Sequence, residues 1–349
     1  MTDRPDNPGH EPDAPSSTDG PPDGAPLTDG PPPRLSTFSL EGRSVPALYL
    51  IGWVAGGAGL IGVVISLLGG GSPGAPWLFL AGLVLLGIGL VAAAGSQAVE
   101  RGRRTDLAYR GPSPVLAFLA VVPITLLLIV VVVAPLSWLG LDARSPIATT
   151  ISLLLTTLVY AGVVRLLVVG PGALSWRDMG LGQPIPAAVK ELAIGALFAL
   201  PVLLVTLVLG GLLTRFVPPP PSPLPPSTDA LALIANLVSA AILAPIGEEL
   251  FFRGFSTTAW ARSRGAGSAI VRGAVFFALA HVVTQLDATF AEGAQRALYS
   301  FLALLPVAVA LGWLFLGRRS LYASIGLHAT FNGIQVLVLF ALASGGLAQ

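Results

Sequence analysis

Three short runs place chemistry-bearing side chains among apolar neighbours. The first is Glu248-Glu249-Leu250-Phe251-Phe252-Arg253. On a helix Glu249 and Arg253 share a face four residues apart, with the acid N-terminal to the base, the order that favours pairing. Glu248 then points about 100° away around the axis and is the free carboxylate. A poorly solvated setting suits such a group to general base or acid work near pH 7. The second run, Phe277-Ala278-Leu279-Ala280-His281, ends on an imidazole. The third, His328-Ala329-Thr330-Phe331-Asn332, sets His and Asn at i and i+4, so both can present donors to one point. Each run has a plainer reading: a solvated helix end, a hydrogen-bonded core histidine, and polar glue between helices. Together they weigh more, because of the three histidines only His10, which is assigned nothing, lies outside an apolar stretch. Peptide hydrolysis needs a base for water, a proton for the leaving amine and donors for the oxyanion, and these residues provide each.

The elements that must hold them are membrane spans. The 349 residues are 54% hydrophobic and 11% charged, too apolar for a soluble enzyme. Mean hydropathy is +0.80. Formal net charge is +1, which gives no reason to expect a nucleic-acid partner. Without cysteine there are no disulfides, thiolate nucleophiles or Cys-ligated metals, leaving oxygen and imidazole chemistry. Lys190 is the only lysine, and Ala, Gly, Pro and Arg abound, a bias expected of a GC-rich bacterial genome.

About nine apolar stretches are long enough to cross a hydrocarbon core of ~30 Å. They run over residues 46–68, 76–98, 115–139, 147–169, 187–214, 230–255, 268–284, 298–316 and 321–343. The expected fold class is therefore an all-α polytopic transmembrane bundle. Residues 1–44, rich in Pro, Asp, Gly, Ser and Thr, read as a disordered tail without signal-peptide character. Every second loop is basic: Arg101, Arg103, Arg104 and Arg110; Arg165 and Arg177; Arg262 and Arg264; Arg318 and Arg319. The positive-inside rule then puts the N-terminus in the cytoplasm, in a plasma membrane, and nine spans put the C-terminus outside. Counting ~1.5 Å per residue from the cytoplasmic ends sets Glu248, His281, His328 and Asn332 within reach of one cavity in the cytoplasmic half.

The motifs EELFFR, FALAH and HATFN, in that order on separate helices, resemble the EExxxR, FxxxH and HxxxN motifs of the CAAX prenyl endopeptidase type II family, also called CPBP or Abi. The resemblance covers roughly residues 230–339, and Ser175 to Leu181 is similar to an amphipathic stretch preceding the family's core. It implies an all-helical membrane protease. Glu248 and His281 would activate water, Glu249 would be the second acid and Arg253 the motif arginine, while His328 and Asn332 would hold the oxyanion. Three units are thus expected: a tail over 1–44, accessory spans over 45–170 and a catalytic core over 171–345.

Metal is weighed separately. Glu248, His281 and His328 are the ligands zinc would take, but no HExxH is present and Asn is a poor zinc ligand, so the reading favours a metal-free site. The expected partners are a peptide or membrane-protein substrate and the bilayer itself, with oligomeric state left open. Two other classes compete. A proton-coupled transporter would use intramembrane Glu and His as a relay, but the acids occur once and no internal repeat is seen. A non-catalytic scaffold would bind partners through its Pro-rich tail.

Overall fold

The computed structural model describes residues 37–40, 43–222, 224–227, 229–282 and 290–344. Nine helices build the described part: α1 (Ala47–Leu68), α2 (Ala75–Gly102), α3 (Pro114–Leu139), α4 (Pro146–Val169), α5 (Ile185–Leu213), α6 (Ala230–Arg264), α7 (Ala266–Val282), α8 (Phe290–Arg318) and α9 (Leu321–Ala343). Eight of these are long and apolar enough to cross a membrane, while α7, with 17 residues, is shorter. The fold class is all-α, as the apolar periodicity predicts. Residues 1–36 of the expected tail, His10 among them, lie outside the described residues. The end of that tail carries a small antiparallel ladder, Thr37–Leu40 against Arg43–Pro46. The tail's average composition hides the local alternation of Phe38, Leu40 and Val45.

The largest departure from expectation is α6. The sixth span, expected to stop at Phe255, continues to Arg264 as a 35-residue helix. Ser256, Thr257 and Thr258 look in sequence like a polar end. Their hydroxyls instead donate to the carbonyls of Phe251 (2.9 Å), Phe252 (2.8 Å) and Arg253 (3.5 Å), each five residues back. Polar groups satisfied within their own helix can lie at depth. That five-residue reach reflects a π-helical run over Glu249–Thr257, with a second over Val238–Leu243. All nine residues of the longer run, Glu249 among them, are buried, and the helix continues past both acids to Arg264, which removes the reading of Glu248 and Glu249 as a solvated helix end.

Glycines set the helix spacing. Gly59, Gly82 and Gly89 bring α1 and α2 into backbone contact, so a Cβ on Gly59 or Gly89 would meet main-chain atoms of Leu86 or Gly56. Small residues are the usual means of close approach in lipid, where apolar surface alone gives helices no reason to associate. The same device joins α5 to α9: a Cβ on Gly195 would strike the Ala323 carbonyl, and one on Gly326 the Leu192 carbonyl. This reciprocal crossing fixes α9 two residues before His328.

Between α4 and α5, the amphipathic stretch from Ser175 to Leu181 forms a turn. Asp178 accepts from the Ser175 backbone N–H and hydroxyl, both at 2.8 Å, and pairs with Arg262 of α6 at 2.6 Å. The Gly180 carbonyl accepts from Leu321 N, the first residue of α9, at 3.1 Å. Leu174 and Met179 meanwhile plug into the main core beside Phe251, Phe252, Phe255 and Phe277. The turn thus clamps α6 to α9, the two helices that carry most of the candidate site. The outer faces expose large apolar side chains such as Leu197, Leu204, Leu207, Leu231 and Val271, a surface suited to lipid.

Candidate active site

The three sequence runs meet. Glu248 and Glu249 come from the middle of α6, His281 from the end of α7, and His328 and Asn332 from α9. Glu249 and Arg253 pair at 2.8 Å, as their spacing predicts, and both are sealed from solvent. Glu249 Oε1 has a second partner absent from the sequence expectation: His328 Nδ1, also at 2.8 Å. Arg253 is held on its other sides by the Phe277 ring, 4.2 Å from Cζ to centroid, and by the Ala308 carbonyl at 3.5 Å. A buried guanidinium needs such company, since cation–π contact and hydrogen bonds replace the lost water.

One peptide unit separates two unlike environments. Glu249 is 0% exposed, whereas the Glu248 side chain keeps 17% of its surface open. Its Oε2 lies 3.6 Å from His281 Nε2 and 3.8 Å from His328 Nε2, and makes no hydrogen bond among the described residues. The other nitrogens of both rings are committed. His281 Nδ1 stands 2.8 Å from the Phe277 carbonyl and can only donate there, and His328 Nδ1 donates to Glu249. With Nδ1 the donor in both rings, each Nε2 is an acceptor when its ring is neutral and a donor when the ring is protonated. His281 is also the more accessible imidazole, with 34% of its side chain exposed against 6% for His328.

Asn332 does not join this trio. Its Nδ2 donates at 2.9 Å to the carbonyl of Ala240, which lies earlier in α6, about two turns before Glu248. Sequence reasoning also passed over Tyr160 of α4, a helix expected only to scaffold. Its ring packs on Phe251 and Phe252 with centroids 5.0 and 6.0 Å away. A single tyrosine in the apolar run of α4 was the available signal. Thr157, one turn earlier, donates to the Leu243 carbonyl at 2.8 Å and abuts Gly247, so α4 lies directly against the Glu248 turn.

Two imidazole nitrogens and a carboxylate oxygen are zinc-type donors, and bonds of ~2.0–2.2 Å set such donors about 3.3–3.6 Å apart around a tetrahedral ion. The 3.6 Å separation stands at the edge of that range and the 3.8 Å one beyond it, and among the described residues no group of three His, Cys, Asp or Glu is placed to hold a metal.

A bundle of apolar helices here encloses two acids and two imidazoles at one point. In the comparison with protein families, residues 230–334 match the type II CAAX prenyl endopeptidase Rce1-like family. That segment, which carries Glu248, Glu249, Arg253, His281, His328 and Asn332, is thus similar to an Rce1-like domain of the CAAX membrane-protease family. No curated protein and no solved structure matches the chain.

Proposed function

We propose that the chain is an intramembrane endopeptidase that hydrolyses a peptide bond with water activated by Glu248 and His281. The observation that carries this reading is the convergence of Glu248 Oε2 with two Nε2 atoms whose rings are fixed through Nδ1. A water has two hydrogens, and Glu248 and His281 can each accept one, which aims the oxygen lone pair at a substrate carbonyl. As the C–O bond forms, Glu248 takes the water proton; it returns that proton to the amine nitrogen as the C–N bond breaks. His328, protonated and facing Glu249 through Nδ1, offers Nε2–H to the oxyanion. No step is routed through a metal. The buried Glu249–Arg253 pair holds His328 in place, a role that its location out of solvent supports.

The basic loops favour a cytoplasmic N-terminus and a site approached from the cytoplasmic half. The substrate class is a peptide or membrane-protein segment; in a bacterial cell a signalling anchor or a precursor peptide suits it better than a prenylated protein.

The test uses the purified full chain in liposomes. It is incubated with a prenylated CAAX peptide and, separately, with solubilised membrane proteins whose new termini are read by mass spectrometry. We expect cleavages present with wild type and absent with Glu248→Ala and His281→Ala, both inserted normally. Identical termini in wild type and Glu248→Ala would overturn the reading.

A further inference from the structure

We propose that Asn332 is a positioning residue, which pins α9 to an opened turn of α6 by satisfying a backbone carbonyl that Pro245 leaves without a donor. The inference rests on the protease reading above and concerns how Glu248 is held, rather than whether it reacts.

The π-helical run Val238–Leu243 ends two residues before Pro245. At its end the Ala244 N–H reaches back five residues to the Ser239 carbonyl. The next donor in that register would be residue 245, reaching Ala240, but Pro245 has no N–H. Nor can Ala244 serve Ala240 in the ordinary four-residue register, because its N–H is already used. The Ala240 carbonyl is thus an orphan at membrane depth, where an unmet backbone acceptor costs several kcal/mol. Asn332 Nδ2 fills the vacancy at 2.9 Å from the neighbouring helix. Single-turn π features of this sort mark functional sites often enough that their support deserves a reason.

The position of this bond gives it leverage. Among the described residues two hydrogen bonds join α6 to α9: Glu249 to His328 and Ala240 to Asn332. Glu248 lies between the two α6 anchor points. Removing the Asn332 link leaves the turn free to close its own hydrogen bonds differently, which rotates Glu248 relative to His281. A misplacement of about 1 Å can cost about 100-fold in rate.

Positioning differs from direct contact with the oxyanion, the role the motif resemblance implies, in what can replace the amide. A substitute that restores the link without offering a donor to substrate rescues a positioning residue only. The chain has no cysteine, and a Cβ on Gly333 would stand 3.5 Å from Ala241 Cβ, within disulfide range. Ala241→Cys with Gly333→Cys therefore pins α6 to α9 beside the natural link. Pro245→Ala offers a second rescue by supplying the missing N–H to Ala240.

The experiment follows Glu248-dependent cleavage by the full chain in liposomes, separating kcat from KM. Asn332→Ala should lower kcat about 100-fold with KM changed less than threefold. Oxidising the cysteine pair in the Asn332→Ala protein, or adding Pro245→Ala to it, should return at least tenfold of the loss, reversibly with reductant for the disulfide. If neither restores cleavage, Asn332 acts on the reacting atoms and the inference falls. It falls equally if the oxidised pair abolishes cleavage when Asn332 is intact, since the pinned crossing would then not be the working one. A wild type whose cleavage survives Glu248→Ala instead defeats the protease reading, a distinct result.

Discussion

Glu249 Oε1 is shared by Arg253 Nη1 and His328 Nδ1, each at 2.8 Å, so one sealed carboxylate oxygen ties the motif arginine of α6 to the motif histidine of α9. Three motifs that look independent in sequence are thus one charged unit, with Phe277 of the second motif stacked on Arg253.

Glu249→Ala should therefore do more than remove an acid. It leaves the Arg253 guanidinium buried without a counter-charge, a change that costs about 3–5 kcal/mol. Thermal unfolding in detergent should show the loss, and Glu249→Met with Arg253→Leu should unfold later than Glu249→Ala alone. Equal stability of Glu249→Ala and wild type would mean the pair carries no structural weight.

The α5–α9 crossing gives a second prediction. Gly326→Val drives a side chain into the Leu192 backbone, which must move, whereas Gly57→Ala on α1 meets open space. Overpacking of this kind costs about 1–3 kcal/mol. Cleavage should fall at least tenfold in Gly326→Val and stay at the wild-type level in Gly57→Ala. Wild-type kcat in Gly326→Val would show that the height of His328 is set elsewhere.

Asp178 offers a pH readout outside the spans. Partial burial pushes its carboxyl up, but the Ser175 donors and Arg262 outweigh this and hold it below the ordinary range. A carboxyl lowered on folding adds stability that is fully present above its unfolded value, about pH 4, and is lost as pH falls through the folded one. With both partners about one-third exposed, the effect is about 1 kcal/mol or less. Asp178→Asn should accordingly unfold slightly earlier than wild type at pH 7, and the two curves should converge in acid. A gap that widened on acidification would contradict the latch.

Chelation separates the water mechanism from zinc hydrolysis. Cleavage should survive prolonged treatment with EDTA or phenanthroline. Loss of both zinc and activity, followed by recovery on refilling, would reassign Glu248, His281 and His328 as metal ligands.

Much of this arrangement was legible from spacing. Apolar lengths located the helices, and the four-residue separation paired Glu249 with Arg253 because helical geometry is local. The links between helices were not legible in the same way. His328 meets Glu249, rather than sharing a target with Asn332, because the α5–α9 glycine crossing sets the height of α9, which no single span encodes. The end of α6 was misplaced because hydroxyls at 256–258 look polar until their bonds to carbonyls five residues back are seen. The stretch at Ser175 to Gly180 was legible as amphipathic, but not the turn that Asp178 closes on Ser175. The seventh span ran to Thr284 in expectation, and its last two residues lie outside the described ones.

The contrast between Glu248 and Glu249 is a matter of phase. Adjacent identical residues acquire opposite fates only because the helix presents one to an accessible crevice and the next to a sealed packing seam. Chemistry at this centre should consequently withstand many point changes in the preceding turns of α6 better than the gain or loss of a single residue there. A one-residue insertion would carry Glu248 into the seam that holds Glu249 and set Gly247 where Glu248 stood, leaving the composition of the motif intact and its meaning lost.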